Sequence, residues 1–244
     1  VTDGNGNTTT IITDKDGNTT TIVEKKDPVT GNTTTTETKP NGDVITTVTD
    51  PEGNKLSEST TTTEKDPVTG NTTTTTTETK PDGTVTTIVT EKDKDGNTIN
   101  NSTTVTNPDG SSTTVEKDNE GNTTTTITDK DGNTTITETD SDGNTTTTVT
   151  DKDGNTTSTV TDKDGNTTII TTDKDGNTIS SKTEINPDGS TTTTTIKKDK
   201  DGNVISVTEV TSKTEYDADG NTVTVNHTVV KDKDDNIISD KTTT

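Results

Sequence analysis

Aromatic residues are almost missing from this 244-residue chain: it has no Trp and no Phe, and Tyr216 is its one Tyr. Met and Cys are absent as well. Without Cys there can be no disulfide framework, no zinc-thiolate site and no thiol nucleophile. Hydrophobic residues make up 16% of the chain, and no apolar run approaches the roughly 20 residues of a membrane-spanning helix. Ordering one backbone residue costs ~1–2 kcal/mol, whereas burying one aliphatic side chain returns roughly 1.5–3 kcal/mol. With so few Val, Ile and Leu, a conventional packed core cannot be built. His227 is the single His, and no base or nucleophile pairing can be proposed around it; it reads as a solvated strand residue. Carboxylates are plentiful, but they fall in exposed turns, where nothing would perturb their ionisation. No enzyme is expected from such a chain, and no cofactor beyond weakly held calcium.

Arginine is also absent. The 22 basic residues are all Lys, against 44 acidic ones, for a formal net charge of −22. That balance disfavours nucleic acid and anionic membranes as partners, and the residue suited to bidentate phosphate recognition is lacking. Low hydrophobicity with high net charge is the composition of disordered chains. One feature opposes that reading. The commonest polar residue is Thr, which is β-branched and favours strands.

Repeats dominate the rest. Asp129-Lys-Asp-Gly-Asn, Asp140-Ser-Asp-Gly-Asn, Asp151-Lys-Asp-Gly-Asn, Asp162-Lys-Asp-Gly-Asn and Asp173-Lys-Asp-Gly-Asn each begin 11 residues after the one before. Between them lie segments such as Thr156-Thr-Ser-Thr-Val-Thr161. A longer unit is superimposed: Lys26-Asp-Pro-Val-Thr-Gly-Asn-Thr-Thr-Thr-Thr36 recurs identically at Lys65–Thr75, a shift of 39. Residues 107–176 are the most regular stretch. Residues 1–244 read as one continuous array with no linker. Val1 and Thr244 both fall inside the pattern, so the chain reads as an excerpt of something longer.

The turn sequences betray their geometry. Asn107-Pro-Asp-Gly-Ser and Asn186-Pro-Asp-Gly-Ser place Pro where a type I turn wants φ near −65°, followed by Asp and Gly. Asp162-Lys163-Asp164-Gly165 replaces Pro by Lys and keeps the rest. The spacing predicts a three-residue hairpin loop, a type I turn closed by Gly with positive φ in a G1 bulge. The leading Asp or Asn is placed to accept a backbone hydrogen bond. The register follows: Asp162 pairs with Asn166, Val160 faces Thr168, Thr159 faces Ile169, and Asp151 pairs with Asn155. Each repeat then has eight strand residues and three loop residues. Paired residues share a face, so Ile127, Val149 and Ile169 lie on one side and Ile136, Val160 and Ile170 on the other. Neither face has the clean alternation of a sandwich. The expected fold is all-β: a repetitive single-layer antiparallel meander of short Thr-rich hairpins, solvated on both faces. A β-solenoid and a largely disordered chain are the alternatives.

Three ligand chemistries are formally present. Asp-x-Asp-Gly-Asn matches the opening of an EF-hand loop, but the sixth position is Thr156 and the twelfth Asp162, where Gly and Glu are required. Ordinary turn chemistry is the plainer reading. Rows of turns along one edge keep Asp129, Asp131, Asp151, Asp153, Asp162, Asp164, Asp173 and Asp175 as candidates for weak calcium association. Asn-Thr-Thr after most turns fits the N-glycosylation pattern, beside the plain reading of turn and strand preference. Alternate Thr residues on one face would form a hydroxyl and methyl grid of the kind an ice surface could meet, though Lys and Glu interrupt the strands.

Tyr216-Asp-Ala-Asp-Gly-Asn221 resembles the turn of YD-type repeats of bacterial rearrangement-hotspot and wall-associated surface proteins, and Thr49-Asp-Pro-Glu-Gly-Asn54 is similar to their T-D-x-x-G-N element. The resemblance covers turns alone. It implies extracellular β-strand arrays and, in some members, carbohydrate binding. Low-complexity repeats of bacterial adhesins resemble the chain in composition. The expectation is therefore a non-catalytic spacer or stalk of a secreted or cell-surface protein. A calcium- or glycan-binding adhesin array is the alternative, and open strand edges invite edge-to-edge self-association.

Overall fold

The computed structural model describes every residue except 5, 217, 218 and 220. The described residues form nineteen strands and no helix. Contacts divide the chain into two units, 1–123 and 124–244. The first holds β1 (Thr8–Thr13), β2 (Thr19–Lys26), β3 (Thr33–Thr38), β4 (Val44–Thr49), β5 (Lys55–Lys65), β6 (Thr72–Thr79), β7 (Val85–Lys92), β8 (Thr98–Thr106) and β9 (Ser112–Asp118). β10 (Thr123–Thr128) opens the second. It continues through β11 (Thr134–Thr139), β12 (Thr145–Thr150), β13 (Thr156–Thr161), β14 (Thr167–Thr172), β15 (Thr178–Ile185), β16 (Thr191–Lys198), β17 (Val204–Tyr216), β18 (Thr222–Asp232) and β19 (Ile237–Thr243).

Within each unit the strands form an antiparallel meander. β1 to β9 each pair with the next in sequence, and β11 to β19 do the same. A solenoid would stack parallel strands, so that alternative is set aside. The register is the one the turns dictate: Val160 pairs with Thr168 and Thr159 with Ile169. Asp162 N–H donates to Asn166 O at 3.0 Å, and Gly165 N–H to Asp162 O at 3.0 Å. The second of these bonds is the i to i+3 closure of a type I turn. Gly165 then takes φ 86°, a conformation that costs a residue with a Cβ roughly 1–2 kcal/mol.

Two details differ from the reading of the sequence. The strands of the regular block are six residues long, not eight, because the flanking Asp and Asn belong to the hydrogen-bond set of the turn. The Asp-Pro-Val-Thr-Gly-Asn units form a wider loop of four residues. Gly31 N–H reaches Asp27 O at 2.9 Å and Asp27 N–H reaches Asn32 O at 2.8 Å, one residue more than in the Asp-x-Asp-Gly-Asn turns.

No apolar side chain is buried among the described residues; Ser190, 5% exposed, is the one buried residue. Ile169 and Ile170 point to opposite faces and each remains 41% exposed. Apolar residues are thus scattered over both faces, as expected, and no second layer covers either. What holds a strand is its ladder and the side chains standing on it. Hydroxyls meet across strands at Thr61–Thr76 (2.9 Å), Thr104–Thr114 (2.9 Å) and Thr183–Thr193 (2.9 Å). Such cross-strand pairs contribute ~0.2–1 kcal/mol each.

Candidate functional site

Chemistry in this molecule is concentrated in the turns. In the Asp-x-Asp-Gly-Asn type the first carboxylate is the organising group. Asp151 Oδ1 accepts from the backbone N–H of Asp153 (2.9 Å) and of Asn155 (2.9 Å), and its Oδ2 accepts from Asn155 Nδ2 (2.7 Å). Asp129, Asp162 and Asp173 are held in the same way. The amide of Asn155, then its backbone N–H, stabilise the ionised form and keep the Asp151 carboxyl below the usual carboxylate range. The corresponding Asn side chain does the same for Asp129, Asp162 and Asp173.

The Asn-Pro-Asp-Gly-Ser turns solve the same problem from another position. Asp188 Oδ1 accepts from Ser190 Oγ (2.6 Å) and Ser190 N–H (3.0 Å), which lowers the Asp188 pKa, the Ser190 hydroxyl contributing most. Asp109 treats Ser111 likewise, at 2.7 and 2.9 Å. The side chain of the leading Asn107 donates here instead of accepting from the backbone. Its Nδ2 donates to Ser111 Oγ at 3.0 Å. The change goes with the leading Asn and closing Ser rather than with Pro, because Asp50, which also precedes a Pro, caps its turn through Asn54 N–H (2.7 Å) and Asn54 Nδ2 (2.7 Å).

The closing asparagine was the residue that reading the sequence missed. Its Nδ2 serves its own turn, and in four cases its Oδ1 reaches a backbone N–H 19 residues on, in the next turn along the same edge or, for Asn166, at the end of β15. Asn133 Oδ1 accepts from Lys152 N–H (2.9 Å), Asn144 from Lys163 (3.0 Å), Asn155 from Lys174 (2.8 Å) and Asn166 from Ile185 (3.1 Å). In the first three the separation of 19 residues follows from two 11-residue repeats, and in the fourth the same separation ends on the last residue of the longer β15. The signal was available: Asn closes Asp-x-Asp-Gly turns, while Ser or Thr closes Pro-Asp-Gly ones. The sequon residues Asn144 and Asn155 therefore have both ends of the amide engaged. A sugar on Nδ2 of Asn155 would compete with its bond to Asp151.

The eight aspartates considered for calcium fall into two classes. Asp129, Asp151, Asp162 and Asp173 direct their oxygens at N–H donors of their own turns. Asp131, Asp153, Asp164 and Asp175 occupy the third turn position; Asp131 pairs with Lys130 at 3.1 Å. Among the described residues no three of His, Cys, Asp or Glu come together in a group that could hold a metal ion. His227 Nε2 lies 2.8 Å from Asp240 Oδ1, with 49% and 57% of the two side chains exposed. No described helix is long and apolar enough to cross a membrane. Of the two elements that carry the YD-type resemblance, residues 217, 218 and 220 of the first lie outside the described residues, while the second, Thr49–Asn54, is a turn in which Gly53 N–H reaches Asp50 O at 3.0 Å.

No protein-family model matches the chain, and no curated protein does. The turns and the faces they set are thus what bears on function.

The two faces of β11–β16 differ in charge. Following the register, Thr139, Thr145, Thr161, Thr167, Thr183 and Thr193 stand side by side on six successive strands. On this face the one ionisable side chain within β11–β16 is Lys197, at the end of β16. The opposite face carries Glu138, Lys182, Glu184 and Lys198. Lys and Glu do interrupt the strands, but mostly on one side.

Proposed function

We propose that the chain is a non-catalytic spacer of a secreted or cell-surface protein. The observation that carries the reading is the absence of any buried apolar side chain among the described residues. A protein that builds a pocket or a rigid catalytic frame needs a core to position it. Here each strand is held by its sequence neighbours and by turn-to-turn bonds, so stability is nearly a sum of local terms, as in solenoid arrays. In such an array repeats can be added or removed without rebuilding anything else, which suits a part whose purpose is length. The identical units at 26–36 and 65–75 fit that use.

Net charge of −22 supports the same role, because self-repulsion keeps copies apart. The test is small-angle X-ray scattering on the chain and on versions with 22 or 44 residues of the regular block added or deleted. The spacer reading expects the maximum dimension to change in equal steps while the spectrum per residue stays constant. A maximum dimension independent of repeat number would overturn it. An adhesin array would show itself by calcium-dependent dimensions or by retention on a glycan surface.

A further inference from the structure

We infer that the uncharged threonine face of β11–β16 binds the surface of ice crystals. This goes beyond the spacer role and does not depend on it.

The first observation is the lattice. Neighbouring strands lie ~4.8 Å apart, and residues two apart on one strand are about 6.7 Å apart. Thr139, Thr145, Thr161, Thr167, Thr183 and Thr193 fill one line of that lattice without a gap. The adjacent line runs through Thr137, Thr147, Thr159, Ile169, Ser181 and Thr195. The second line is in the interior of the strands, whereas the first borders the turns, at the last residues of β11 and β13 and the first of β12 and β14.

The second observation is order. β-branched side chains have few χ1 choices, so little freedom is lost when a surface is engaged. Hydroxyls on this face also hold one another: Thr137 and Thr147 at 3.3 Å, Ser181 and Thr195 at 2.8 Å, Thr183 and Thr193 at 2.9 Å. Side-chain ladders of this sort are what permit a sheet to be flatter than its natural twist. Each hydroxyl both donates and accepts, as a water molecule does, while each methyl stays unhydrogen-bonded beside it.

The third observation is the segregation of charge. A fixed ion keeps its own hydration shell and has no place in the lattice of ice. The face with the two Thr lines excludes ions up to Lys197, and Glu138, Lys182, Glu184 and Lys198 are sent to the other side. An uncharged face is unsuited to a phosphate, a polycation or an acidic polymer. A crystalline polysaccharide is the remaining flat occupant. Stacking against sugar rings draws on aromatic side chains, and the chain offers Tyr216 alone. The ordered, uncharged, hydroxyl-bearing partner that fits is frozen water.

The experiment uses the full chain, fluorescently labelled, and measures its incorporation into a slowly grown ice hemisphere. Thr159→Lys with Thr161→Lys places charge on the proposed face. Thr146→Lys with Thr168→Lys places the same charge on the opposite face. Far-UV circular dichroism confirms that both variants keep the β signal. The expected result is incorporation of the parent and of the opposite-face variant, with loss in the Thr159/Thr161 variant. Exclusion of the folded parent from ice would overturn the proposal. So would equal loss in both variants, or retention on microcrystalline cellulose with exclusion from ice. None of these outcomes would alter the scattering result expected of a spacer.

Discussion

At the scale of single residues, the fold rests on a few positions that side chains elsewhere in the repeat cannot fill. Gly154 has φ 88° with open space where a Cβ would stand, whereas a Cβ on Gly31 would meet Pro51 Cγ at 3.0 Å. Gly154→Ala is therefore expected to cost roughly 1–2 kcal/mol from conformation alone, and Gly31→Ala more, read as the order of their midpoints in thermal melts followed by circular dichroism. Asp235 is the one described non-glycine residue at positive φ, 66°, and it occupies the place where other turns have Gly. An ion pair to Lys231 at 3.2 Å accompanies it. Asn155 and Asn177 separate the two duties of the closing asparagine. Each donates to its own Asp, but only Asn155 is seen to accept from a later turn. Asn155→Ala is expected to cost about 0.5–1.5 kcal/mol more than Asn177→Ala, the net worth of one hydrogen bond. Amide exchange at Lys174 checks this directly: its protection should fall in the first variant and persist in the second. The glycines and leading aspartates were legible in the sequence because turn types demand them. The lateral asparagine was not, because a bond between turns two hairpins apart needs the register first.

At the scale of the hairpin, pairing was readable and the exact extent of the strands was not. Asp162-Lys-Asp-Gly-Asn fixed the partners Val160–Thr168, since loop length sets register. The wider Asp-Pro-Val-Thr-Gly-Asn loop escaped because Pro and Gly are there separated by two residues rather than one. Charge segregation escaped too. It depends on following face parity through six strands, where one residue of slip would exchange the faces. The turns also set the response to acid. Fifteen of the described aspartates, all but two of them capping residues of the kinds described, have lowered pKa values through bonds made only when the turn is formed; Asp151 and Asp188 are examples. A carboxyl with a folded pKa below its unfolded value of about 3.9 stabilises the fold above that value. The contribution is lost as pH falls through the lower, folded value. The β signal should thus hold from neutral pH down to about pH 4 and decline below it. Relief of self-repulsion acts in the opposite sense, so persistence of an unchanged β signal to pH 2 would mean that the aspartate caps contribute little. Asp151→Asn should weaken its turn even at neutral pH, because an amide N–H₂ would then face the Asn155 amide.

For the molecule as a whole, the account is of strands ordered without a core. A globular chain unfolds with a heat-capacity increase of ~12–15 cal/mol/K per residue, produced by exposure of apolar surface. With no apolar side chain buried among the described residues, calorimetry should find a value well below that range and a broad transition. A sharp transition with an ordinary heat-capacity change would require a core. Composition foretold this much, since 16% hydrophobic residues cannot close one, and the threonines told which way the chain would order in its place. The central claim is that turns and ladders suffice, with neither a core nor a metal ion. Far-UV circular dichroism of the purified chain in chelator, and again after millimolar calcium, tests it most directly. The account predicts a β-sheet signal already present in chelator and unmoved by calcium; a coil signal, whether it stays coil or becomes β only when calcium is added, would contradict it.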